Sequence, residues 1–267
     1  MKFDIVFSDI DGTLVDDNHL PMPKTVRKIK ELTQSGIPFI LVSARPPMGV
    51  KRVLDMLGIS SPMICFCGGV ITDGKGGILA DHGIPMDTAM KIKGYFERKF
   101  PDVCVCSYLY DRWFCDDASH YWVNYEIGVT GMTPEEIRLN DLAKTEDRVH
   151  KLLCMGDPGQ MDTAQKELTA LYSSDAAIYR SKREYIEVTP KGVSKSGAIR
   201  ELCKIYSTDA SRVLAFGDNF NDLDMLEYAG FSVAMGNAPD EIKAVCSAVT
   251  ADNNSEGIFL ALEKYLD

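Results

Sequence analysis

The sequence predicts an α/β fold: a doubly wound parallel core of Rossmann-like type, made from both ends of the chain, with an α+β domain inserted between them. Three observations predict it. At 267 residues the chain has room for two cores of ordinary domain size. Its two ends alternate short apolar runs with segments of helical period, the pattern of parallel strands joined by right-handed crossovers. Residues 80–190 instead bring strands together with short connections, which favours antiparallel pairing.

Residues 3–8 (FDIVFS) are almost continuously apolar, as a strand covered on both faces must be. Val26, Ile29 and Leu32 then recur at helical spacing over residues 23–35, and Gly36 supplies the stop. A second apolar strand, IPFILVS, spans residues 37–43. Pro46 and Pro47 open a helix that carries Val50, Val53, Leu54 and Leu57 and closes at Gly58. The third strand, PMICF at residues 62–66, ends in Gly68-Gly69, and the inserted domain is expected after it. Near the C-terminus the alternation returns. A helix at 194–206 precedes strand RVLAF (212–216), a helix at 220–229 and strand FSVAM (231–235). A helix near 239–246, a short AVT strand and a helix at 255–266 complete the series.

The middle block reads as strands at 103–109, 112–116, 149–155, 176–180 and 185–188, with helices at 87–99 and 159–172. Residues 117–147 carry no clear period. The predicted boundaries are therefore a discontinuous core, residues 1–80 with 190–267, and an inserted domain at 81–189.

Composition excludes several classes. With 45% hydrophobic and 25% charged residues the chain is neither disordered nor of low complexity. Thirty-nine acids against 29 bases give a net charge of −10, which repels nucleic acid and anionic membranes, so neither is expected as a partner. No run reaches the roughly 18 apolar residues of a membrane span. Asp4, Asp9 and Asp11 fall where a signal peptide would be apolar, so a cytoplasmic protein is expected. The eight cysteines sit mostly in apolar runs such as MICFC and VCVCSYL, where the thiol serves as a small buried hydrophobe.

Open parallel sheets bind ligands at the carboxyl ends of their strands. After the first strand comes Asp9-Ile10-Asp11-Gly12-Thr13, and after the second Ser43-Ala44-Arg45. After LAF comes Gly217-Asp218-Asn219-Phe220-Asn221-Asp222, and Lys195 opens the helix that returns the chain to the core. Grouped carboxylates need a cation, and oxygen ligands without His or Cys favour Mg2+. A lysine and a hydroxyl facing the same point add an anion site, a combination suited to phosphoryl transfer. Asp224 is left open between lining an exposed helix face and belonging to the acidic group, and the four histidines are given no chemistry.

Asp9-x-Asp11-Gly-Thr13-Leu, Ser43, Lys195 and Gly217-Asp218-x-x-Asn221-Asp222 resemble, in order and placement, the four motifs of the haloacid dehalogenase superfamily. The insertion between the second and third motifs and the run Lys191-Gly-Val-Ser-Lys195 are similar to the Cof-type sugar-phosphatase branch with its large α/β cap. The resemblance implies Asp9 as nucleophile and Mg2+ ligand, and Asp11 as general acid/base that also binds Mg2+ through its carbonyl. It implies Asp218 as a metal ligand and Asp222 as a ligand or an orienting partner. Ser43, Lys195 and Asn221 would hold the phosphate, and Arg45 would touch the substrate or a cap carboxylate. Two departures stand out. The second motif often reads Thr-Gly-Arg, and Ser43-Ala44-Arg45 keeps the hydroxyl; Cys67-Gly68-Gly69 replaces the frequent Asn-Gly-Ala.

The expected function is a Mg2+-dependent phosphatase of a small phosphorylated metabolite, foremost a sugar phosphate, working through phospho-Asp9, with a cap that closes over the substrate and sets specificity. Two rivals are weighed. A phosphomutase or phosphotransferase would share the first half-reaction and release little phosphate. A non-catalytic metabolite-binding protein would be expected to have lost one of Asp9, Asp11, Lys195 or Asp218. The sequence assigns no oligomeric state.

Overall fold

The apolar runs at the two chain ends become neighbours in one eight-stranded sheet. Its order is Ala248–Val249, Phe231–Ala234, Val213–Gly217, Ile5–Ser8, Phe39–Val42, Met63–Cys65, Val70–Thr72 and Ile78–Asp81. The computed structural model describes residues 3–266. It divides into two units, one running to Ala80 and resuming at Ser194, the other Asp81–Val193.

In the first unit the six strands from Ala248–Val249 to Met63–Cys65 are all parallel. Ile5, Val6, Phe7 and the whole of Phe39–Val42 are buried, which is why these strands read as unbroken apolar runs. On one face Ile5, Phe7, Ile40, Val42 and Ile64 pack with Ile199 and Leu202 of the helix Lys195–Ile205 and with Met225 and Leu226 of Leu223–Tyr228. The helix Pro23–Gln34 buries Thr25, Ile29 and Leu32, and Pro47–Leu57 buries Val50, Val53, Leu54 and Leu57. Gly58 ends the latter helix in the left-handed region, at φ 64°.

Two further strands stand between the third parallel strand and the second unit, so the insertion does not follow that strand directly. Val70–Thr72 runs antiparallel beside Met63–Cys65, and Ile78–Asp81 adds an edge strand before the second unit begins. Phe66, Cys67 and Gly68 all have positive φ (50°, 55° and 111°) and turn the chain straight back. So short a connection has no room for a crossover helix, and the returning strand must be antiparallel.

The second unit carries a six-stranded sheet in the order Ala176–Lys182, Tyr185–Pro190, Lys151–Met155, Cys104–Leu109, Arg112–Cys115 and Glu135–Glu136. All pairs are antiparallel except the last, which is parallel. The helices Met86–Lys99 and Pro158–Tyr172 share one apolar cluster with it, through Ile92, Phe96, Met161 and Leu168 against Leu152, Cys154, Ile186 and Val188. The single run expected at 149–155 is two strands, Arg148–Val149 and Lys151–Met155, parted at the buried His150. Residues 117–147 contain the helix Tyr121–Thr130, whose Tyr121, Tyr125 and Val129 are exposed. A helix that buries Val123 and Glu126 while turning aromatics to solvent has no amphipathic period to read.

Among the described residues no helix is long and apolar enough to cross a membrane. None of the eight cysteines is in a disulfide, and five of them are buried.

Candidate active site

Parallel strands end on the same edge, so the residues that follow them gather there. Asp9 follows Ile5–Ser8, and its N–H still donates to the Phe216 carbonyl of the neighbouring strand at 3.1 Å. Asp218 follows that neighbour, and Ser43 follows Phe39–Val42 on the other side. Lys195 is the first residue of its helix. Ser194 caps that helix by accepting the Gly197 N–H at 3.1 Å, and Asp224 accepts the Ser196 N–H at 2.9 Å.

Lys195 Nζ donates to Asp9 Oδ1 and to Asp222 Oδ1, each at 2.5 Å. Lys195 is 1% exposed and Asp222 is wholly buried. The second oxygen of Asp222 accepts the N–H groups of Asp218 and Asn219 at 3.0 and 3.1 Å. Asp222 thus accepts three protein hydrogens and fixes the loop that presents Asp218. Gly217 is required beneath it, because a Cβ there would stand 2.7 Å from the Asp222 Cβ.

Asp218 is held from the first loop. Thr13 Oγ1 donates to its Oδ1 at 2.8 Å. Gly12 has φ +79°, and a Cβ on it would lie 2.4 Å from Asp218 Oδ2, so the Asp-Gly of the sequence serves both a left-handed turn and a close approach. Asn237 Nδ2 donates to the Gly12 carbonyl at 2.8 Å and reaches Asp218 Oδ2 at 3.5 Å. Asn253 supports it, its N–H donating to Asn237 Oδ1 at 3.3 Å and its Nδ2 to the Val15 carbonyl at 3.1 Å.

The electrostatics follow from three carboxylates sharing one ammonium. Burial pushes the Asp9 carboxyl up to about 8, with Asp222 and then Asp218 adding to the rise and Lys195 opposing it. Burial likewise carries Asp218 up to about 6 against the hydrogen bond from Thr13. Burial disfavours the charge on Lys195, but Asp9 and Asp222 outweigh it and hold the ammonium above its ordinary value. Carboxylate oxygens of Asp9, Asp218 and Asp222 lie within 4.8 Å of one another. A buried cluster with this excess of negative charge fits a hard divalent cation bound through oxygen.

The remaining candidates lie around this centre. Ser43 is buried; its Oγ accepts the Arg45 N–H at 3.2 Å, and its carbonyl accepts the Cys67 N–H at 2.8 Å. Asn221 is exposed in the turn Phe220–Asp222. Arg45 forms a fork on Asp11, with Nε to Oδ2 at 2.9 Å and Nη2 to Oδ1 at 2.5 Å. Thr13, Asn237, Asn253 and Asp224 also support the site, although none stands out for such a role in the sequence. Asn237 was findable by the same rule that selected Asp9, since it lies just past the end of Phe231–Ala234 on the same edge. Asp224 is half-buried against the Lys195 helix, the alternative to an exposed helix face that the sequence left open.

The sequence profile of haloacid dehalogenase-like hydrolases matches residues 6–262 of the chain. A Haemophilus influenzae protein provisionally named a phosphatase is 35% identical over 264 residues, covering 99% of this chain and 98% of that one. A crystal structure from Thermotoga maritima superposes with a TM-score of 0.91 at 25% identity, over 100% of both chains. A structure described as a HAD subclass IIB sugar phosphatase superposes with a TM-score of 0.79 at 22% identity, over 99% of each chain.

Proposed function

Since the chain belongs to the haloacid dehalogenase-like hydrolase family, we propose that it is a Mg2+-dependent phosphatase hydrolysing a small phosphorylated metabolite, foremost a sugar phosphate, through phospho-Asp9. The observation that carries this reading is the buried Lys195 bridging Asp9 and Asp222 beside Asp218 at the carboxyl edge of the sheet. Asp9 and Asp218 would hold the cation with the Asp11 carbonyl, and Asp222, its oxygens already engaged, takes the orienting role. When bound, Mg2+ neutralises the clustered carboxylates and the charge on the phosphoryl oxygens.

The protein groups divide the remaining work. Asp9 attacks phosphorus, and Lys195 keeps the attacking carboxylate oriented while offering charge to the phosphoryl oxygens. Ser43, whose oxygen already accepts from Arg45, gives its hydroxyl proton to a phosphoryl oxygen, and Asn221 adds an amide donor from the exposed turn. Asp11 protonates the leaving oxygen and later takes a proton from the water that hydrolyses phospho-Asp9. Substrate selection is assigned to the second unit, Asp81–Val193. The preference for sugar phosphates is supported by the fold neighbour described as a sugar phosphatase.

The test is phosphate release from a panel of phosphorylated metabolites, with and without Mg2+, beside Asp9→Asn. Metal-dependent release is expected, with a loss of at least roughly 10^4-fold in the variant. Consumption of substrate without phosphate would move the assignment to a phosphoryl transfer between hydroxyls. Release that survives in Asp9→Asn would overturn it.

A further inference from the structure

We propose that Arg45 is the positioning residue of Asp11, acting through that carboxylate and not on the phosphoryl group, an assignment that rests on the phosphatase reading above. Nε and Nη2 of Arg45 each donate to a different oxygen of Asp11, at 2.9 and 2.5 Å. Such a fork fixes the plane of the carboxylate as well as its distance, which the point charge of a lysine does not. Arg45 is itself tied to two strand ends, its N–H donating to Ser43 Oγ at 3.2 Å and its carbonyl accepting the Phe66 N–H at 3.1 Å. Asp11 lacks comparable restraint. Its side chain is 49% exposed, it precedes the left-handed Gly12, and the His19 ring, with Nδ1 at 3.6 Å, is itself 74% exposed. An exposed aspartate samples several rotamers, whereas proton transfer to a bound oxygen needs one.

The reaction shows where that matters. In the first step Asp9 forms a bond to phosphorus, the bond from phosphorus to the leaving oxygen breaks, and that oxygen takes the proton of Asp11. With the proton on one oxygen, Asp11 still accepts from the guanidinium at the other. In the second step a water gives its proton to Asp11 while its oxygen bonds to phosphorus. The bond from phosphorus to Asp9 breaks, and phosphate departs. An alkoxide leaves poorly and depends on the proton; an aryloxide leaves with little help. Loss of a residue that positions Asp11 therefore falls on alkyl esters, while loss of a residue that grips the phosphoryl group falls on both alike.

The experiment measures kcat and KM of wild type, Arg45→Gln, Arg45→Lys, Asp11→Asn and the Asp11→Asn/Arg45→Gln double variant. The substrates are the sugar phosphate turned over fastest in the panel and p-nitrophenyl phosphate. Arg45→Gln is expected to lower kcat roughly 100-fold on the sugar phosphate and less than about 10-fold on the aryl ester, with Arg45→Lys between it and wild type. Added to Asp11→Asn, it should cost no more than about threefold, because its partner is already disabled. Equal losses on the two esters, or losses that multiply in the double variant, would show that the arginine acts on the phosphoryl group and would overturn the assignment. Arg45→Lys in both backgrounds carries the comparison if the glutamine variant does not fold. A folded wild type that hydrolyses neither ester overturns the phosphatase reading itself, and this assignment with it.

Discussion

Asn237 holds no charge and yet touches the two loops on which the site depends. It donates to the Gly12 carbonyl at 2.8 Å and reaches Asp218 Oδ2 at 3.5 Å, with its own oxygen fastened by the Asn253 N–H. Partners of this kind set the direction of a ligand oxygen, and their loss commonly weakens metal binding about 10- to 100-fold. Asn237→Ala is therefore expected to raise the Mg2+ concentration at half-saturation by at least about 10-fold, read from the metal-induced rise in Tm as well as from turnover. An unchanged midpoint would mean that Thr13 alone orients Asp218. At this scale the carboxylates and Ser43 were legible because strand ends name their own successors, whereas Lys195, at the start of a helix, was legible only together with the other motifs. Asp11 and Arg45 were legible as candidates but not as a pair, since nothing in the local sequence of either specifies a partner 34 residues away.

Among the elements, the helix Lys195–Ile205 shows how placement of one side chain is secured by its backbone. Two of its first N–H groups are capped, one by Ser194 within the chain and one by Asp224 from the following helix, Leu223–Tyr228. The second bond joins the segment bearing Lys195 to the segment bearing Asp222, the two ends of the buried ion pair. Asp224→Ala should cost about 1 kcal/mol in urea unfolding, as the loss of a helix cap does, with Asp224→Asn losing less because an acceptor oxygen remains. Equal stability of all three proteins would show that the bond contributes nothing. The helices of this unit were readable from their period with Gly and Pro marking the ends, and the parallel strands from unbroken apolar runs. The Val70–Thr72 and Ile78–Asp81 strands were not: the turn that aligns the first uses left-handed Phe66 and Cys67 as well as Gly68, and the second is exposed or half-buried along its length and so marks no core face.

For the whole molecule, a pH dependence near neutrality also lies outside the candidate site, at His150 in the second unit. Burial lowers the pKa of this imidazole below its ordinary 6.5; the hydrogen bond and charge of Asp81 oppose the shift, and Arg148 adds to it. Its Nδ1 accepts the Tyr110 N–H at 3.0 Å, so the neutral ring carries its proton on Nε2, which faces Asp81 Oδ1 at 3.0 Å. The unfolded chain binds the proton first as pH falls, so this contribution is complete above about 6.5 and declines as pH drops toward the lower native value. As pH is lowered from 7 to 5, Tm of the wild type is expected to fall relative to that of His150→Gln, the difference isolating the imidazole from the opposite contribution of the raised Asp9 and Asp218 carboxyls. A variant that keeps the full slope would place the dependence elsewhere.

By itself the sequence determined the fold class, the two textures of the chain and the residues presented at the carboxyl edge, because burial on both faces dictates apolar runs and parallel strands all end on one side. Tertiary structure alone decided which of those residues act together. Lys195 meets Asp9 across 186 residues, and Thr13 meets Asp218 across 205. It also turned Asp222 toward Lys195 and two backbone N–H groups, and set Arg45 on Asp11. Such pairings depend on the ångström-scale approach of separate loops, which the packing of the sheet and its helices determines and which no local pattern encodes.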